Sequence, residues 1–147
     1  ANGTKRFNFG EVRGYSPRDA VQYDYLTCLT GVLEKERDED PFIVPEEIKK
    51  AYAADSKAGY IDAHVNDVPV DFTSTNDGTN GNSGSPVLDG KGRLIGLDFD
   101  TNLESVVKDY YYNAEISRAI VVDIRYVLFL LDRVYGMTGL LEEMRIE

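Results

Sequence analysis

A chain of 147 residues is about one domain long, and its 42% hydrophobic content is enough for one packed core. The net charge of −10 and pI near 4.6 give an acidic surface that repels phosphate backbones, which argues against nucleic-acid binding. No apolar run nears the ~18 residues of a membrane span (YVLFLL at 126–131 is far too short), and the single cysteine, Cys28, excludes an intramolecular disulfide and a cysteine zinc cluster.

The opening ANGTKRFNFG has no initiator Met, no basic start and no hydrophobic stretch, so it does not read as a signal peptide. It enters a strand-like pattern almost at once, as expected of a segment cut from a longer chain. Residues 5–15 alternate, with Phe7, Phe9 and Val12 assigned inward, and predict a strand. GYSPRD at 14–19 reads as a turn. Residues 20–34 place Val21, Tyr23, Tyr25, Thr27 and Leu29 on one face and predict one long strand, with Cys28 as a small core residue. KERDED at 35–40 is a solvated charged loop.

Pro45, two glutamates in the first turn and Gly59 past the end predict a short helix within 44–59. VPVDFTST at 68–75 predicts a strand. Residues 85–99 predict a hairpin, with strands 85–89 and 93–99 around a Gly-Lys-Gly turn. A strand at 117–124 merges into a helix at 123–136, and a last helix closes the chain. There is no repeat and no low-complexity segment. About six nearly consecutive antiparallel strands over 5–122 suit a small closed barrel, with one inserted helix and C-terminal helices over 123–146.

Between strand 68–75 and the hairpin lies TNGNSGSPV, residues 79–87. Acyl transfer needs an exposed nucleophile and two backbone N–H groups aimed at the developing oxyanion. A tight Gly-X-Ser-Gly turn offers both. Gly81 adopts backbone angles that other residues resist, so its N–H and that of Ser83 can face one point. Gly84 leaves the space above Ser83 open. Composition alone is equally met by an ordinary Gly/Asn/Ser loop, but the strand before it and the hairpin after it favour the nucleophile reading.

GNSGSPV resembles the nucleophile loop of chymotrypsin-like serine peptidases, particularly the glutamyl-endopeptidase branch. Taken with VRGYSPRDA (12–20), YDYLTCLTGVLEKE (23–36), GNSGSPVLDGKGRLIGLDFD (81–100) and VDIRYVLFLLDRVYG (122–136), the chain resembles the bacterial dipeptidyl peptidases that include dipeptidyl peptidases 7 and 11. The resemblance runs from about Phe7 to Met144. It implies the C-terminal six-stranded barrel of a double-barrel serine peptidase. It also implies Ser83 as nucleophile and the N–H groups of Gly81 and Ser83 as oxyanion hole. Asp100 matches an acidic residue that grips the substrate's free α-amino group. Thr101 falls where members carry glycine or arginine, the residue that shapes the pocket for the second substrate residue. Asn80 departs from the usual glycine of TGGNSG. Spacing agrees independently: in such barrels the substrate backbone pairs with a strand some fifteen to twenty residues after the nucleophile, where LDFD and thus Phe99 and Asp100 sit. A carboxylate at that strand's end suits a ruler counting two residues from an ammonium.

A Ser-His-Asp triad needs a histidine bonded to the serine. The one histidine, His64, lies in the polar stretch YIDAHVND and reads as a surface residue. The resemblance implies that the His and Asp lie upstream of this segment, in the missing half of the same protein. Asp77, six residues before Ser83, has the spacing of a basic-specificity carboxylate but reads as ordinary turn chemistry. NDGTN (76–80) lacks the distal Glu of a calcium loop, and no metal or cofactor is expected. Asp98 reads as solvent-facing on an edge strand, and Tyr110, Tyr111 and Tyr112 as packing or a partner surface. The expected partners are peptides with a free N-terminus and the missing half of the protein. An apolar patch should stay exposed, with self-association into a homodimer. The resemblance implies a periplasmic or cell-surface location in a Gram-negative bacterium. Two alternatives stand beside the dipeptidyl peptidase: a glutamyl-endopeptidase-like fragment lacking the Asp100 anchor, and a non-catalytic module that keeps the loop without the base.

Overall fold

The computed structural model describes residues 4–54 and 57–146. It is mostly β, with two antiparallel sheets and a few helices. The strands are β1 (Tyr15–Arg18), β2 (Val21–Tyr23), β3 (Leu26–Cys28), β4 (Pro69–Ser74), β5 (Pro86–Leu88), β6 (Leu94–Thr101) and β7 (Ala119–Asp123). The first two form a small sheet, and the larger sheet has the order β3-β4-β7-β6-β5. This differs from the expected six-stranded barrel: among the described residues no sheet closes on itself.

The helices are α1 (Leu29–Glu34), α2 (Glu46–Ala53), α3 (Ile124–Phe129), which continues as a wider π-helical turn over Leu130–Val134, and α4 (Thr138–Glu143). The chain divides into two compact units. One comprises Ala1–Leu26 with Asp71–Asp123, and the other Thr27–Val70 with Ile124–Glu147.

The second unit holds an apolar core of Leu29, Val44, Ile48, Ala51, Val68, Val70 and Phe129. Ile48 and Ala51 are three residues apart and so share one face of α2, which starts at Pro45 as predicted. The predicted long strand over 20–34 is instead two short strands and α1. Leu29, Val32 and Leu33 have helical spacing toward the core, but the decisive partner is remote. Asp67 Oδ2 accepts the Thr30 N–H (2.8 Å) and the Thr30 hydroxyl (2.6 Å), supplying the cap that Cys28 lacks. Cys28 is half-buried. His64 is exposed, and its N–H donates to Asp62 Oδ1 at 2.8 Å.

In the first unit, β4, β7, β6 and β5 pair antiparallel, with Phe72 opposite Val121 and Leu97 opposite Val122, and the register shifts once in β5–β6 and once in β6–β7. Gly96 is required there. A Cβ would lie 2.5 Å from Val121 Cγ1 and 2.6 Å from the Val122 carbonyl oxygen.

The predicted strand over 5–15 does not form, and Phe7 and Phe9 are 90% and 95% exposed rather than inward. Polar groups settle that segment. Glu11 and Thr75 exchange hydrogen bonds (Glu11 N to Thr75 Oγ1, 2.9 Å; Thr75 N to Glu11 O, 2.9 Å), Val12 bridges Ser74, and Asn8 Nδ2 donates to the Asp77 carbonyl at 2.6 Å. Residues 14–19, read as a turn, are largely β1.

Candidate active site

Residues 75–85 connect β4 to β5 in the first unit. Asn82 organises the turn. Its Oδ1 accepts the N–H and hydroxyl of Thr79, each at 3.1 Å, while its N–H donates to the Thr79 carbonyl and its own carbonyl accepts Ser85 N–H at 2.8 Å. Gly81 and Gly84 have φ of +93° and +82°, in the left-handed region where a side chain is strained. Open space surrounds both, so it is conformation and not crowding that calls for glycine.

The loop then lies along β6. Gly84 N–H donates to the Asp98 carbonyl at 2.7 Å, and Asp98 N–H donates to the Ser85 carbonyl at 2.8 Å. Ser83 is exposed at the turn's tip, its hydroxyl 3.4 Å from the Phe99 carbonyl oxygen. Among the described residues, the N–H groups of Gly81 and Ser83 donate to no protein acceptor. The turn thus presents one hydroxyl and two unspent donors.

β6 carries the remaining predicted residues. Phe99 is 56% exposed, and Asp100 is exposed with Oδ1 accepting the Thr101 N–H at 2.7 Å. The strand is bulged here: Asp98 pairs with Val121 and Asp100 with Ile120, leaving Phe99 as an extra residue. β6 lies between β5 and β7, so Asp98 is on an interior strand, not an edge. Burial pushes the Asp98 carboxyl up, opposed by the Phe99 N–H and the Lys108 charge.

The end of β6 is locked by residues that periodicity did not single out. Asn102 is buried. Its Oδ1 accepts the Arg118 N–H (2.9 Å) and the Ser105 hydroxyl, and its Nδ2 donates to the Ile116 carbonyl at 2.7 Å. Arg118 is 2% exposed, and its guanidinium donates to the carbonyls of Arg13, Gly14, Ala114, Glu115 and Ser117. Five backbone acceptors spread the cation's charge and fix the strand end that bears Asp100 and Thr101. Just beyond, Leu103 (82% exposed), Val106, Val107, Tyr110 and Tyr111 leave apolar surface open. Asp77 is exposed, and among the described residues no three or more His, Cys, Asp and Glu side chains form a metal-binding group. Among the described residues no helix is long and apolar enough to cross a membrane.

The peptidase S46 family model matches residues 1–146. The chain belongs to the peptidase S46 family. It is 46% identical over 147 residues to dipeptidyl-peptidase 7 of Phocaeicola vulgatus, and 48% identical over 147 residues to the Asp/Glu-specific dipeptidyl-peptidase of Porphyromonas gingivalis. Both alignments cover 99% of this chain and 20% of the relative, so the chain spans about a fifth of those proteins. Among solved structures, Porphyromonas endodontalis DPP11 in complex with the dipeptide Arg-Glu superposes with a TM-score of 0.91 at 42% identity, covering 97% of this chain and 20% of that one.

Proposed function

We propose that residues 1–147 are one domain, the C-terminal part, of a chymotrypsin-like serine peptidase that releases dipeptides from free peptide N-termini. Ser83 is the nucleophile in this reading, and the N–H groups of Gly81 and Ser83 hold the oxyanion. The observation that carries it is the turn at 79–85, where an exposed hydroxyl and two unspent N–H donors are held by two left-handed glycines and by β6. The catalytic His and Asp come from the rest of the protein, and the exposed apolar residues at 103–111 offer a surface for that part to cover. The protein works in the periplasm or at the surface of a Gram-negative bacterium, as the resemblance implies, and self-associates as a homodimer.

Asp100 binds the substrate's α-ammonium, and the Phe99 backbone runs beside the substrate. Thr101 lines the pocket for the residue before the cut. It brings a methyl and a hydroxyl but no charge, so an acidic side chain buried there would lack a partner. This protein accordingly lacks the strict preference named for the Porphyromonas gingivalis relative.

The test is the full-length protein with free and N-acetylated peptides. Dipeptide release from free peptides only, lost in Ser83→Ala by about 10³-fold or more, is the expected result. The residue range 1–147 alone should be inactive, since general-base assistance of about 10² to 10⁴-fold is missing. Cleavage of acetylated peptides would favour the endopeptidase alternative, and full activity in Ser83→Ala would refute the assignment.

A further inference from the structure

On a regular strand, Asp98 and Thr101 would point to opposite faces, being an odd number of residues apart. The extra residue in the β6 bulge removes that opposition. Both side chains converge on buried Gly78, where a Cβ would lie 3.5 Å from Asp98 Oδ2 and 3.8 Å from Thr101 Cγ2. The Gly78 carbonyl accepts the Lys108 ammonium, so that cation is already committed to backbone. Asp98 is half-buried, and among the described residues its carboxylate has no ion-pair partner within 4 Å. The two strand residues between Asp98 and Thr101, Phe99 and Asp100, are those assigned above to substrate.

Building on the proposed role of Thr101, we propose that Asp98 is a second specificity-determining residue of the same pocket, favouring substrate side chains that carry a positive charge or a hydrogen-bond donor over Asp and Glu. A half-withdrawn carboxylate only accepts hydrogen bonds, so a donor end satisfies it. A second carboxylate beside it would meet like-charge repulsion where water screens poorly. Lys108 tempers the Asp98 charge without forming a fork for an incoming carboxylate, because its donor is turned to Gly78. Gly78 adds no side chain of its own to the space between Asp98 and Thr101.

The experiment uses the full-length peptidase and dipeptidyl reporter substrates with Lys, Gln, Leu or Glu before the cut. The readout is kcat/KM normalised to the Leu substrate, for wild type, Asp98→Asn, Thr101→Arg and Lys108→Met. We expect wild type to favour Lys over Glu by about tenfold or more, and Asp98→Asn to collapse that ratio by about tenfold. Wild-type preference for Glu overturns the inference, as does an unchanged Lys/Glu ratio in Asp98→Asn while Thr101→Arg shifts it. If instead no substitution at Thr101 or Asp98 alters any ratio, the pocket assignment of Thr101 itself is wrong, and the inference falls with it. The wild-type ranking needs no variant to fold.

Discussion

Asp67 and Asp98 are both withdrawn from water, and the two units treat them in opposite ways. Burial pushes both carboxyls up. At Asp67 the Thr30 hydroxyl, the N–H groups of Thr30 and Val68 and the Lys57 ammonium outweigh burial, and the carboxyl ends below its usual range. At Asp98 burial wins and the carboxyl ends above it. The first carboxylate belongs to a closed set of partners that starts α1 and joins the core of its unit. The second stands on a bulged strand beside a loop with unspent donors. The first carboxylate is satisfied by partners of its own unit and serves stability, whereas the second has no ion-pair partner among the described residues and is the one proposed above to serve binding.

The sharpest way to break this contrast is a substitution in the core. Phe129 is fully buried among Leu29, Val68 and Tyr60, so Phe129→Ala should cost about 3–5 kcal/mol in chemical denaturation. Phe99→Ala, removing an equal ring from the exposed side of the site, should cost far less. Equal losses would dissolve the distinction between the two regions.

Asp100→Ala comes next. In the full-length enzyme it should lower kcat/KM on free-N-terminus substrates by about 10 to 150-fold while leaving the melting temperature near wild type, because a charge-assisted bond to substrate is lost whereas the fold loses an exposed bond to the adjacent Thr101 N–H. Equal losses on acetylated and free peptides would remove Asp100 from the anchor role.

Asp67→Ala should do the reverse, costing about 1–3 kcal/mol of stability by stripping the Thr30 N–H and hydroxyl of their acceptor. A melt unchanged by it would mean α1 needs no remote cap.

The smallest effect is expected at Asp62, half-exposed and paired with Arg125 in the same unit. The Arg125 guanidinium holds the Asp62 carboxyl below its ordinary value. A carboxyl depressed in the folded state stabilises the protein above its unfolded pKa, and that contribution fades as pH falls through the folded value. Asp62→Asn should therefore cost less than about 1 kcal/mol at pH 7, with the gap to wild type closing at strongly acid pH. A gap that widens on acidification would contradict the pairing.

How much of this was legible in the sequence depends on where each partner lies. The hairpin was readable because its signals are local: Gly92 takes φ +78°, and Asp89 clasps the Lys91 and Arg93 N–H groups from within the turn, which holds its carboxyl at about 2. β4, α2 and the β7-to-α3 passage were readable for the same reason. The strand expected at 5–15 failed because alternation placed Phe7 and Phe9 inward, whereas Asn8, Glu11 and Thr75 decide that segment by polar pairing across more than sixty residues. α1 was missed because its cap, Asp67, is 37 residues away. The Ser83 loop stood out from its glycines and its flanking strands. The bulge at Phe99 left no composition signal, so the convergence of Asp98 and Thr101 was invisible, as was the Arg118 cradle that fixes the strand end.

Whether the turn at Ser83 presents a nucleophile in a peptidase is decided by treating the full-length protein with a phosphonate carrying a dipeptidyl group and a free α-amine, then mapping the modified peptide by mass spectrometry. We expect one covalent adduct, on Ser83, absent in Ser83→Ala and weakened in Asp100→Ala. An adduct on another residue of an active enzyme, or full activity with Ser83 left unmodified, would contradict that role.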